Sequence, residues 1–191
     1  MKKKILIIGF GSIGIRHAKI LSNFKEVNKI AIFTGQKQIK LKKTIFIKKL
    51  NIFNPDYIII CSETSNHYSD ILKVEKNFKN KIVLVEKPLF ERYRKIQIKK
   101  NKYFLGYNLR FHPIIEYIKK RIKKNKIFSI NIFCSSFLPF WRKNRNYANT
   151  YSGKKNGGGV LLDLSHELDY LQWLFGNITK VNYLQSNKIS K

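Results

Sequence analysis

The sequence predicts an α/β chain in which a doubly wound parallel sheet over residues 1–108 is followed, over 109–191, by an incomplete α/β second domain with an open sheet. Three observations carry this. Short unbroken apolar runs, Ile5 to Ile8 and Tyr57 to Cys61, and a fifth strand over Lys81 to Val85 alternate with amphipathic stretches, as central parallel strands buried on both faces should. The first run flows directly into Gly9-x-Gly11-x-x-Gly14. After residue 108 the alternation of strand and helix gives way to a different pattern.

The glycine stretch is a nucleotide seat of the Rossmann type. Gly9 makes the tight turn, Gly11 lets the backbone approach a pyrophosphate, and Gly14 lets the following helix lie close to the strand. Ser12 and Ile13 open that helix, whose free N–H groups point at the anion. The second strand is read as Lys29 to Thr34. A carboxylate for the adenosine ribose is expected about 20 residues beyond the turn. None occurs between Glu26 and Asp56, and Thr34, Gln36, Lys37 and Lys40 stand there instead. That substitution leans toward a 2'-phosphate, so the cofactor is NAD or NADP.

Residues 35–54 are too short for two helices flanking a strand. The reading is a short strand over Lys43 to Ile47, a brief helix over Lys48 to Asn54, and a turn at Asn54-Pro55-Asp56. The fourth strand ends in Ser62-Glu63-Thr64-Ser65-Asn66-His67, and open parallel sheets bind ligands beside such carboxyl ends, which makes Ser62, Thr64 and His67 cofactor candidates. A helix from about His67 to Asn77, a fifth strand ending in Glu86-Lys87-Pro88-Leu89, another short helix and a sixth strand over 103–108 complete the sheet.

Pro113 to Ile122 is helical and Ile127 to Phe137 reads as a long strand. The loop from Leu138 to Gly159 is aromatic and glycine-rich, with Trp141, Arg142 and Tyr151 placed to stack on a sugar or clamp a phosphate. Val160 to Phe175 reads as one helix with Leu161, Leu164, Leu168 and Leu171 on a stripe, ended by Gly176. Val181 starts a last strand.

Composition bounds the function. Hydrophobic residues at 43% and aromatics at 14% support a packed core rather than disorder, and no segment is apolar enough to span a membrane as a helix. Arg16, His17 and Lys19 interrupt the first apolar run, against a secretory leader. Cys61 and Cys134 give neither a disulfide framework nor metal-ligand spacing, so the cytoplasm is the expected location and no metal is expected. The net charge of +28 invites a nucleic-acid reading, but the lysines recur through nearly every segment instead of forming one groove. Nonspecific adhesion to polyanions at low salt follows, not specific recognition.

Four landmarks occur in order: GFGSIG, CSETSNH, VEKPL and GGGVLLDLSHELDY. Together they resemble the glucose-fructose oxidoreductase, inositol dehydrogenase and MocA family of NAD(P)-dependent oxidoreductases, over almost the whole chain. The stretch Gly106 to Pro113 is similar to the link between that family's two domains, and Tyr107 and Arg110 in it are substrate candidates. The resemblance implies hydride transfer to or from a carbohydrate or sugar-nucleotide carbon, with members tied to surface-polysaccharide sugars the most similar. It places Lys87 at the nicotinamide and the oxygen of the reacting carbon, with a surface lysine as the bland alternative. Glu86 is a ribose or backbone orienter or a plain strand-end charge. His166 is a general base that Asp163 orients, or an exposed helix histidine.

Two features depart from the family. Asp163 and His166 are three residues apart where members usually have four, which still leaves them on neighbouring parts of one helix face. Members also continue through further strands, so the chain reads as short at its C-terminus. A homo-oligomer through the second-domain sheet is expected, and a non-catalytic dinucleotide-binding remnant is the rival reading.

Overall fold

In a computed structural model, residues 2–36, 39–123, 126–135 and 159–183 are described. Six strands, β1 (Lys3–Ile8), β2 (Val27–Phe33), β3 (Thr44–Ile47), β4 (Tyr57–Ile60), β5 (Ile82–Val85) and β6 (Lys102–Leu105), form one parallel sheet in the order β3-β2-β1-β4-β5-β6. The order reverses between β1 and β4, where Ile5–Ile8 pair with Tyr57–Ile60. Both neighbours of β1 pair with it along its apolar run, and Ile5 to Ile8 are all buried.

The two faces have separate cores. Leu6, Ile8, Ile58 and Ile60 pack with Ile71 and Val74 of α2 (Thr64–Asn77). Ile5, Ile7, Ile30, Ile32 and Ile59 pack with Ala18 of α1 (Ser12–Ser22). Alternate residues of β1 thus serve opposite layers.

Several elements differ from the sequence reading. The brief helix over 48–54 is a single 3-10 turn, Leu50–Ile52, which buries only Leu50. Helix α2 begins at Thr64 rather than His67, entered from the extended backbone of Glu63. No helix forms between β5 and β6. Ile96 packs on the core and Ile98 is exposed. The segment is tied down by Glu75 of α2, whose carboxylate accepts from Lys99 N, Lys100 N, Asn101 Nδ2 and Tyr103 Oη at 2.8–3.0 Å. Burial pushes the Glu75 carboxyl upward, but these four bonds outweigh it and hold it below the usual glutamate range. The same contact, with burial first, pushes the Tyr103 phenol upward.

The described residues divide into two compact units, Met1–Tyr107 with Ser135–Ser165, and Asn108–Cys134 with His166–Lys191. In the second unit a 3-10 turn, Asn108–Phe111, leads into α3 (Pro113–Ile122), where His112 Nδ1 accepts from Ile114 N and Pro113 occupies the first turn. Arg110 forks onto the Asp169 carboxylate, and the Lys119 ammonium lies 3.3 Å from the Trp173 ring centre. Residues 126–135 form no strand ladder, contrary to the long strand expected over 127–137, and neither do 181–183. A strand needs a neighbour for its N–H and C=O groups, and no described residue pairs with them. The single helix expected over 160–175 is two, α4 (Val160–Asp163) and α5 (Ser165–Phe175), broken at Leu164. The leucine stripe is therefore discontinuous, with Leu161 and Leu168 exposed. Gly176 does end α5, at φ +95° with its N–H bonded to Gln172 O. Among the described residues no helix is long and apolar enough to cross a membrane.

Candidate active site

The carboxyl ends of β1, β2, β4 and β5 open into a cleft of about 940 Å³. Its floor is the glycine turn. Gly9 has φ +89°, and a Cβ there would lie 2.5 Å from Ser62 N, so the β1 and β4 turns meet backbone to backbone. A Cβ on Gly14 would lie 2.4 Å from Gly9 O, which is how α1 comes to sit against the turn. Gly11 is different. Around its missing Cβ the nearest atom is Gln36 Oε1 at 4.0 Å, so its backbone faces open space. Gly11 caps α1 without a side-chain bond, leaving the first N–H groups beside Ser12 and Ile13 uncapped at the cleft.

The other walls are polar. Thr34, Gly35 and Gln36 follow β2, with Gln36 N donating to Thr34 Oγ1. Lys37 lies outside the described residues. Ser62, Glu63 and Thr64 follow β4, and Asn66, Asp70 and Lys73 line the cleft from α2, the last two as an ion pair at 2.8 Å. The Ser62 hydroxyl is buried without a hydrogen-bond partner among the described residues. Open space over Gly11, uncapped helix N–H groups and a waiting hydroxyl fit a dinucleotide pyrophosphate and ribose.

Glu86 and Lys87 close the cleft at the end of β5. Lys87 is half-buried, and its Nζ donates to the backbone carbonyl of Asp163 at 2.7 Å. Asp163 itself is buried and meets Lys87 through its backbone rather than its carboxylate. The break at Leu164 leaves Asp163 at the end of α4 and His166 in α5, not on the single helix expected for them, and the two fall in different units. His67 packs beneath the cleft without lining it, its ring nitrogens 3.0–3.1 Å from the carbonyls of Pro88, Leu89 and Ser62. It knits the β4 and β5 turns together. Tyr107 stands just past β6 and outside the cleft lining, and Arg110 is engaged by Asp169. Trp141, Arg142 and Tyr151 lie outside the described residues.

One cleft-side group was not singled out from the sequence. His17 of α1 places Nε2 2.7 Å from Glu86 Oε1. The spacing offered a signal: Gly14, His17 and Ala18 fall on one helix face, and that face packs on the sheet. Burial, and then the Glu86 charge, pushes the Cys61 thiol well above its ordinary range.

A parallel sheet whose order reverses at β1 and β4, with a glycine turn opening a helix at that point, defines a dinucleotide-binding Rossmann domain. Comparison with known proteins takes this further. Residues 3–101 match the oxidoreductase family with an NAD-binding Rossmann fold, GFO/IDH/MocA, and residues 115–191 match the GFO/IDH/MocA C-terminal domain. The chain belongs to that family, and its first domain is the NAD-binding one.

An uncharacterized oxidoreductase of Synechocystis is 29% identical over an alignment 134 residues long, covering 64% of this chain and 36% of that protein. Among solved structures, the WlbA dehydrogenase of Thermus thermophilus in complex with NAD and UDP-GlcNAcA superposes with a TM-score of 0.70 at 18% identity, covering 94% of this chain and 65% of that one. The WlbA dehydrogenase of Bordetella pertussis with NADH and UDP-GlcNAcA gives 0.63 at 17% identity, covering 92% and 59%. Myo-inositol 2-dehydrogenase of Lactobacillus plantarum gives 0.51 at 21%, covering 65% and 42%. These likenesses are of fold. The chain spans 36% of the length of the curated relative and 59–65% of the two WlbA chains.

Proposed function

We propose that this chain is an NAD(P)-dependent oxidoreductase acting on a CH–OH carbon of a carbohydrate or sugar nucleotide, in surface-polysaccharide sugar metabolism. The observation that carries the reading is Lys87, an ammonium on the wall of the cleft that the glycine turn opens. Likeness to WlbA dehydrogenases crystallised with UDP-GlcNAcA supports the sugar-nucleotide class. When bound, the nicotinamide supplies or accepts the hydride.

The chain's own residues have distinct tasks in this reading. The N–H groups at Gly11, Ser12 and Ile13 bind the pyrophosphate, and Ser62 and Thr64 hold the middle of the dinucleotide. Neutral Thr34 and Gln36 at the end of β2 place no carboxylate against a 2'-phosphate, so both NAD and NADP are accepted. Lys87 donates a hydrogen bond to the oxygen on the reacting carbon and stabilises alkoxide charge there. Its bond to Asp163 O aims the ammonium. His166 serves as the base for the hydroxyl proton. Tyr107, Arg110, Trp141, Arg142 and Tyr151 contact the sugar. The protein works in the cytoplasm as a homo-oligomer that covers the exposed Phe128 and Phe133.

A second reading, cofactor binding without turnover, is favoured by the small amount of buried apolar surface among the described residues of the second unit. Titration and a substrate screen separate the two. NADH or NADPH fluorescence is expected to change at micromolar protein, and Gly11→Val to remove the response. Sugars and sugar nucleotides are then assayed by NAD(P)H absorbance. Lys87→Met is expected to lower turnover about 10²- to 10⁴-fold while cofactor affinity changes little. A mutant that turns over like the wild type makes Lys87 structural, and binding with no substrate in the screen supports the non-catalytic reading.

A further inference from the structure

Glu86 lines the cleft, yet one of its carboxylate oxygens is already engaged. We propose that His17 is a positioning residue for Lys87, acting through Glu86. This rests on the reading of Lys87 as the proton-handling group.

The geometry places His17 on a fixed element. Gly14 brings α1 against the Gly9 carbonyl, and His17 follows one turn later. Its Nε2 lies 2.7 Å from Glu86 Oε1, with the two side chains 24% and 17% exposed. The Glu86 backbone is held from the other side, since Glu86 N donates to Ile60 O at 3.0 Å and so extends the β4–β5 ladder one residue past β5. The second carboxylate oxygen has little room to turn. A Cβ on Gly106 would come within 3.4 Å of Glu86 Oε2 and 3.3 Å of Val85 O, so glycine at that position keeps the slot open. The Glu86 charge also reaches the buried Cys61 thiol.

Glu86 is therefore clamped by α1, by β4 and by the turn after β6. Lys87 is the next residue along the chain, and its far end is held by Asp163 O. Its backbone is fixed by Glu86 and its ammonium by Asp163, so both ends of the side chain are defined. Removing the imidazole leaves a part-buried carboxylate without that partner. The strand end carrying Lys87 then loses its anchor on α1.

Competitive amine labelling of the full chain tests this without a substrate. The protein is pulsed with limiting acetylating reagent, completed with the heavy isotope, and each lysine's rate is read by mass spectrometry. Lys73, on the opposite cleft wall, is the internal standard. His17→Ala is expected to raise the Lys87 to Lys73 ratio about tenfold, the equivalent of one charge-assisted hydrogen bond. His17→Gln, which keeps a donor, is expected to stay within about twofold of wild type. If His17→Ala does not fold, His17→Asn, too short to reach Glu86, carries the same expectation. An unchanged ratio overturns the assignment. So does a uniform acceleration of all lysines that glutamine does not rescue, which makes His17 a stability contact only. Saturating NADH should slow Lys87 labelling in the wild type. If it does not, the reading of the cleft fails, while the ratio without NADH still decides whether His17 positions Lys87.

Discussion

The Rossmann sheet and the second unit are built from equally apolar sequence and reach opposite ends. In the first, every residue of β1 from Ile5 to Ile8 is buried, because strands on both sides satisfy its backbone and helices cover both faces. In the second, Phe128 is 86% and Phe133 91% exposed, and among the described residues the buried hydrophobic side chains stop at Val85. Local signals suffice to form α3, with His112 as its cap and Pro113 in its first turn. Burial needs a partner element. Apolar content alone therefore does not distinguish a core from a docking face.

The largest test of that contrast is Gly14→Val. Its side chain would meet the Gly9 carbonyl, a backbone atom that cannot swing away, so a loss above about 4 kcal/mol and no NADH response are expected in urea unfolding and fluorescence. Ile60→Ala, at the carboxyl end of the central strand β4 and with no exposed surface, should cost about 2–5 kcal/mol in the same unfolding experiment.

Glu75 sharpens the comparison at the sheet's margin. Its carboxyl is held below the usual range when folded, so its stabilising effect is complete above the ordinary glutamate pKa of about 4.3 and fades as pH falls through the lower folded value. Wild type should therefore lose stability through that acid window more steeply than Glu75→Gln. At neutral pH the variant should be weaker by about 1 kcal/mol, since the site is partly solvated. The smallest effect is expected in the second unit. Phe133→Ala should change the unfolding free energy by less than about 0.5 kcal/mol in dilute protein. A larger, concentration-dependent loss would show that a second copy covers this face.

The legible parts of the sequence were those where one physical rule acts alone. A doubly buried strand must be continuously apolar, and a turn at Gly9 that touches Ser62 N must lack a side chain, so β1, β4, β5 and the glycine seat could be read directly. Segments governed by competition were misread. Leu50 could open a helix, but the turn before Pro55 leaves room for one 3-10 turn. The stretch before β6 follows Glu75, a distant residue, rather than its own periodicity. Val160 to Phe175 carries a helical stripe, yet the chain turns at Leu164. His17 was hidden because its meaning depends on Glu86, 69 residues away, and its place on the sheet-facing side of α1 is only a faint local mark.

Glu75 points to an asymmetry in how this protein tolerates change. Basic residues number 39 and acidic ones 11, so the carboxylates are the scarce side of every ionic contact. They serve as hubs: Glu75 gathers four donors, Glu86 holds His17, Asp70 holds Lys73, Asp169 holds Arg110, and Asp56 takes the Lys4 amide. A lost lysine has many neighbours of the same sign to take its place in solvent. A lost carboxylate has no such reserve. Drift in this lineage should therefore run freely through its lysines and stall at a handful of acids, in the reverse of what their numbers alone suggest.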